Sequence, residues 1–92
     1  MAQVQGNPEE MRRFAQALRH FSQELEQSTR RIDQQSKSVG QSWRDQEYQK
    51  FIREWDRTLQ MVHRFLREAP SYERHVMQKA QALEEYLRSG GF

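Results

Sequence analysis

Cysteine is absent from the 92 residues, which excludes disulfides and thiolate metal sites. The four glycines fall in the N-terminal lead (Gly6), at Gly40 and in the tail (Gly90, Gly91). They form neither a phosphate-cradling loop nor a Gly-x-Ser-x-Gly nucleophile turn. Apolar residues are scarce, at 35%, and the mean hydropathy is −1.16. That is too polar for a thick globular core, but it suits helices that each bury one stripe. No apolar run approaches the roughly 20 residues that span a bilayer. The opening Met-Ala-Gln-Val-Gln-Gly has neither the charged nor the apolar region of a signal peptide. Charge of one sign is lacking too. The net charge is +2 although charged residues make up 30% of the chain, and acids are interleaved with bases throughout. A nucleic-acid binder carries a one-sided basic stripe, and a membrane-surface helix gathers its Lys and Arg on one face. Neither pattern occurs, so no nucleic-acid partner and no membrane insertion are expected.

What is present is helical periodicity. Asn7-Pro8-Glu9-Glu10 reads as a helix start, with Asn7 as cap and Pro8 in the first helical position. From there apolar residues step by three and four through Met11, Phe14, Leu18, Phe21, Leu25, Ile32 and Val39, with Ser28 and Gln35 in the remaining positions of the seam. The pattern is a heptad repeat held over about four repeats. Glu9/Arg13, Glu26/Arg30 and Asp33/Lys37 are spaced i,i+4 with the acid first, the better orientation. A first helix is predicted over about residues 8–38. Gly40 is the expected stop, as a glycine able to adopt the left-handed conformation.

Ser42-Trp43-Arg44-Asp45 has the Ser-x-x-Asp form of a capping box. It places the turn at 39–42 and a second helix over about 43–88. A link this short makes the helices antiparallel neighbours. The second stripe runs through Tyr48, Ile52, Trp55, Leu59, Val62, Leu66, Ala69, Val76, Ala80, Leu83 and Leu87, with Glu73 as its charged member. Phe51, Phe65, Tyr72 and Tyr86 widen it on one flank. Pro70 lies inside it. A proline within a helix costs roughly 3 kcal/mol, but burying Val76, Leu83 and Leu87 is worth about 1.5–3 kcal/mol each. The heptad phase is unbroken across Pro70, and Ala69 would be a poor cap for a third helix. One helix kinked near Pro70 is favoured over two.

The fold class expected is therefore all-α: a single domain over 1–92 with short flexible termini, folded as a long antiparallel helical hairpin. Two helices cannot enclose a stripe that includes Phe51, Phe65 and Tyr72, and exposed apolar stripes mark binding faces. Two hairpins packed as a four-helix bundle would hide both stripes. The expected core and dimer seam is Phe14, Leu18, Phe21, Leu25, Ile32, Tyr48, Phe51, Ile52, Trp55, Leu59, Val62, Phe65 and Leu66.

Catalytic chemistry finds no foothold. His20, His63 and His75 pair with no second ligand at metal spacing, and no paired-carboxylate motif occurs. No catalytic, cofactor or metal site is expected. The aromatics at 14, 21, 51, 55 and 65 fall on the heptad stripes, as core residues do, rather than forming a stacking platform. Trp43 is different. It sits at the start of the second helix, outside the seam. Either it covers the bundle end near Val39, or it is a recognition residue of the kind enriched among interface hot spots.

These features resemble the WXG family, the small ESAT-like proteins of type VII secretion, over nearly the whole chain. The likeness lies in the length, the two antiparallel helices, the Trp at the turn, its spacing to Phe51 and Trp55 in Ser42-Trp43-Arg44-Asp45-Gln46-Glu47-Tyr48-Gln49-Lys50-Phe51-Ile52-Arg53-Glu54-Trp55, and the opening Asn-Pro-Glu-Glu-Met-Arg-Arg-Phe-Ala. The resemblance implies a homodimer or a heterodimer with a similar hairpin, built as a four-helix bundle. It also implies folding in the cytoplasm and export without a cleaved signal by a secretion ATPase. Trp43 would be the motif tryptophan. Asp45 stands in place of the motif glycine and is able to close a helix cap. The family's Tyr-x-x-x-Asp/Glu export signal is absent, since Tyr72 is followed by Val76 and Tyr86 by Gly90. Export would then depend on a partner chain or on the tail Ser89-Gly90-Gly91-Phe92. The competing reading is an intracellular coiled-coil adaptor or chaperone-like protein unrelated to secretion.

Overall fold

The computed structural model describes residues 6–90. The N-terminal Met-Ala-Gln-Val-Gln and the last two tail residues lie outside the described residues. Two helices, α1 (Pro8–Val39) and α2 (Gln46–Arg88), account for the fold, and no strand occurs among the described residues. The fold class is all-α, a helical hairpin.

The start of α1 is set by Asn7. Its Oδ1 accepts the amide hydrogens of Glu9 at 2.9 Å and Glu10 at 3.2 Å, and its carbonyl accepts that of Met11 at 3.0 Å. These bonds satisfy donors that a helix N-terminus leaves unpaired. α2 passes through Pro70 without a break, and Val76, Ala80 and Leu83 beyond the proline remain half-buried or buried. Gly90 follows the end of α2 with a positive φ of 105°, the backbone conformation in which helices commonly end and which glycine adopts without a Cβ penalty.

Packing divides the chain into two units, one of Ser22–Arg67 and one of Met1–Phe21 with Glu68–Phe92. In the first, the end of α1 and the start of α2 lie antiparallel about the turn. The Trp55 indole donates to Asp33 Oδ1 at 3.0 Å, and the Tyr48 hydroxyl donates to the carbonyl of Ser36 at 2.8 Å. In the second, Arg12 donates through both terminal nitrogens to the two carboxylate oxygens of Glu84, at 2.9 and 3.0 Å. Such a fork-to-fork pair fixes orientation as well as charge. In the same unit Ala15, Ala69, Ala80 and Leu83 are buried.

The buried line of α1 is not the one its large residues trace. Ala15, Thr29 and Ser36 are buried and Ser22 is half-buried, so the contact with α2 falls on small residues at heptad spacing. Met11, Leu18 and Leu25 border this line and are half-buried, whereas Phe14, Phe21, Ile32 and Val39 are exposed, as are Ser28 and Gln35. The assignment of Phe14, Phe21 and Ile32 to a core seam is thus corrected within the chain. Periodicity located the right side of the helix but not the right strip of it. A small side chain lets the α2 backbone approach, and a phenylalanine at the same place would hold it off. The α2 stripe matches the reading better. Tyr48, Ile52, Trp55, Leu59, Val62, Leu66, Glu73 and Val76 are half-buried, and Ala69, Ala80 and Leu83 are buried. Leu87, at the end, is exposed.

The turn also differs from its sequence reading. α2 begins at Gln46, not at 43, because Asp45 is its cap: Asp45 Oδ1 accepts the Tyr48 amide hydrogen at 3.1 Å and its carbonyl that of Gln49 at 3.2 Å. Ser42 closes α1 instead. Its amide and hydroxyl both donate to the Val39 carbonyl, which also accepts the Trp43 amide hydrogen at 2.9 Å. Gly40 does not adopt the left-handed backbone. It is glycine because the Tyr48 ring and hydroxyl lie where a Cβ would be. Gly40→Ala is accordingly expected to destabilise the fold by about 1–3 kcal/mol, the usual cost of overpacking, and to cost less than that when introduced into Tyr48→Ala, which removes the obstructing ring. Urea denaturation of Gly40→Ala, Tyr48→Ala and the double variant checks this, and unchanged stability in Gly40→Ala would contradict the contact.

Candidate interaction surface

The turn end of the Ser22–Arg67 unit gathers three aromatic rings. Trp43 meets Tyr48 edge-on, with centroids 5.2 Å apart and planes at 63°, and stacks on Phe51 at 6.3 Å and 26°. Offset and edge-on pairs of this kind are favourable beyond their burial. Tyr48 is held by its bond to Ser36, and Asp45 fixes the first turn of α2. The rings therefore stand on a positioned scaffold. Trp43 is still 37% exposed and Phe51 39%, leaving one side of the cluster to solvent. Arg44 flanks it, its Nε donating to the Gln41 carbonyl at 3.0 Å.

Of the residues the sequence singled out, Trp43, Asp45, Tyr48 and Phe51 come together here. Ile52, Trp55, Leu59, Val62, Phe65 and Leu66 are half-buried along α2, and Leu18 and Leu25 along α1. Phe14 is 57% exposed, Phe21 52% and Ile32 45%. They lie outside the within-chain core.

Asp33 is a cross-helix partner that periodicity passed over. It was read only as the acid of an i,i+4 pair, and that pair forms, with Lys37 Nζ at 3.1 Å. The bond from Trp55 is the larger influence on it. That bond, then Lys37, holds the Asp33 carboxyl below its ordinary pKa, against a smaller opposing effect of desolvation. A half-buried tryptophan needs an acceptor for its N–H, and this was the available signal. On the other unit Glu84 is lowered by its bond and charge interaction with Arg12.

Two concavities accompany these contacts. One, of about 140 Å³, lies in the Ser22–Arg67 unit and is lined in part by Glu26, Arg30, Asp33 and His63. The other, of about 540 Å³, lies in the other unit and is lined by Phe14, Leu18, Ser71, Tyr72, His75 and Val76. No group of His, Asp or Glu suited to hold a metal ion occurs among the described residues. No helix among them is long and apolar enough to cross a membrane.

The chain matches the sequence model of the WXG100 family, proteins of 100 residues with WXG, over residues 3–86, and it belongs to that family. The family comprises small ESAT-like helical hairpins associated with type VII secretion, and its members generally form dimers. Neither the comparison with curated proteins nor that with solved structures found a match. Within the family pattern this chain carries Trp43-Arg44-Asp45, with the glycine position taken by the residue that caps α2.

The Asp33–Trp55 bond predicts a pH dependence. A carboxyl whose folded pKa is depressed contributes stability that is full above its unfolded pKa, about 3.9, and is lost as pH falls through the lower folded value. In a Trp43→Phe background, Trp55 fluorescence should therefore hold steady through neutral and mildly acidic pH and change only below about pH 4. Asp33→Asn should abolish that change, and its persistence in Asp33→Asn would assign the transition to another group.

Proposed function

We propose that this chain is a non-enzymatic interaction protein that pairs with a second helical hairpin, in the first place a copy of itself, to form a four-helix bundle. In that form it is a substrate or component of a type VII-like secretion system, folded in the cytoplasm and exported without a cleaved signal. The secretion ATPase is its expected partner in transit. The observation that carries the reading is an imbalance of burial. The buried apolar residues are Ala15, Ala69, Ala80 and Leu83, while Phe14, Phe21, Ile32, Val39 and Phe51 are exposed. Burying a large apolar side chain is worth about 1.5–3 kcal/mol, and a lone hairpin leaves much of that gain unused. Small chains commonly make up such a deficit by association.

Family membership supports the secretion half of the proposal, and the cluster at Trp43, Tyr48 and Phe51 supports a recognition role for the turn. The absence of Tyr-x-x-x-Asp/Glu favours the adaptor reading, or export that relies on a partner chain. Light scattering on the purified protein is expected to give twice the chain mass. In cells that carry a type VII-like system, the protein should leave the culture supernatant when the membrane ATPase is deleted. A monomer at micromolar concentration would remove homodimerisation, and ATPase-independent release would remove the secretion assignment.

A further inference from the structure

Acids and bases are mixed along the second half of the sequence, but winding it into α2 sorts them. Residues three and four apart are neighbours on a helix surface, so positions 50, 53, 57, 60, 64 and 67 form one line. They are Lys50, Arg53, Arg57, Gln60, Arg64 and Arg67, all exposed: bases and no acid, in a chain whose net charge is +2. The reading that no one-sided basic line occurs is corrected for this stretch. At about 3.6 residues per turn, the line lies opposite Ile52, Trp55, Leu59, Val62 and Leu66, the half-buried side of α2. It falls wholly within the Ser22–Arg67 unit and runs about 26 Å at 1.5 Å per residue. Elsewhere the chain neutralises its bases with an acid four residues earlier, as Glu26 does for Arg30, Asp33 for Lys37 and Glu84 for Arg88. Here the positions four before each base hold Gln46, Gln49, Arg53, Gln60 and His63. Among the described residues Lys50, Arg53, Arg57 and Arg67 make no ion pair, although Glu54 and Asp56 flank the line.

We infer that this line docks an acidic helix of another protein, one that carries Glu or Asp at alternating spacings of three and four. The spacing argues for a helix. Bases that advance by three and four stay level with carboxylates that advance in the same way on a helix laid alongside, the arrangement by which flanking charges select partners in paired helices. The residue type argues for carboxylate. Arg53, Arg57, Arg64 and Arg67 outnumber Lys50, and the planar arginine fork binds a carboxylate through two parallel hydrogen bonds. A phosphate surface matches less well. A helix that lies on a membrane turns its apolar side into the lipid, and the apolar side of α2 is half-buried within the chain. A protein that holds a nucleic-acid strand supplies rings for the bases to stack on, and the line has none. The occupant is not a second copy, because no two acids of this chain stand three or four residues apart. Docking on this side of α2 is independent of the pairing proposed above, which uses the apolar faces.

Fluorescence anisotropy with the full chain tests this, using two stapled helical peptides of about 21 residues, three heptads. Both are built from Ala, Gln and Glu in the same proportions. One has its Glu residues at alternating spacings of three and four, and the other has them scattered around the helix. The phased peptide is expected to bind about tenfold more tightly or better, the effect of several exposed ion pairs acting together. The triple variant Arg53→Gln/Arg57→Gln/Arg64→Gln should lose that preference. Arg13→Gln/Arg19→Gln/Arg31→Gln, the same change of charge on α1, should keep it. Helicity by circular dichroism should be unchanged in both, because all six side chains are exposed. Equal binding of the two peptides by the unaltered chain would overturn the proposal, and so would equal loss in the two triple variants, since either result reduces the contact to net charge. Tighter binding to vesicles of phosphatidylglycerol and phosphatidylcholine, or to duplex DNA, than to the phased peptide would overturn the acidic helix as occupant.

Discussion

Close approach of two helices is the constraint on which the remaining features depend. Where α1 meets α2 it presents Ala15, Ser22, Thr29 and Ser36, with Gly40 beneath the Tyr48 ring. α2 answers with Ala69 and Ala80, which are fully buried. Small side chains bring backbones together and allow polar side chains to reach across, as Arg12 reaches Glu84 and Trp55 reaches Asp33. They also bury little area of their own. The large apolar residues of α1 are displaced to the adjoining strip, where the chain alone does not cover them. The burial of small residues and the exposure of Phe14, Phe21, Ile32 and Val39 thus share one cause.

Much of this was legible in the sequence. The number of helices, the Asn7 start and the α2 stripe follow from capping chemistry and from apolar spacing. α2 is continuous through Pro70, with Val76 half-buried and Leu83 buried, while Leu87, which the burial argument also counted, is exposed. What periodicity did not locate was the strip of α1 in contact with α2. A hydropathy pattern ranks Phe14 above Ala15 although they are neighbours. Only the depth of the contact, a property of both helices together, decides which of them faces inward. The heptad run of small residues at 15, 22, 29 and 36 was the signal that would have separated the two.

The turn shows a second limit of the same sort. Ser42-Trp43-Arg44-Asp45 offers two capping residues three apart, and each was assigned to the start of α2. The chain uses them for different helices, Ser42 at the end of α1 and Asp45 at the start of α2. The segment between them carries Trp43 out of both helices and against Phe51. Spacing linked Trp43 to Phe51 and Trp55, whereas the ring that joins Trp43 and Phe51 is Tyr48. The cluster depends on Tyr48 bonding to Ser36 across the hairpin and on the space left by Gly40.

Pro70 has one further effect. It has no amide hydrogen to offer the carbonyl of Leu66 one turn earlier, so α2 is unbroken in its path but missing a rung in its ladder. The gap falls close to the boundary between the two packing units at Arg67 and Glu68. A helix of 43 residues would otherwise tend to propagate order along its whole length. Here that propagation is weakened by the one missing hydrogen bond. A helix that lacks one rung bends or frays at that point at a lower cost than elsewhere along its length.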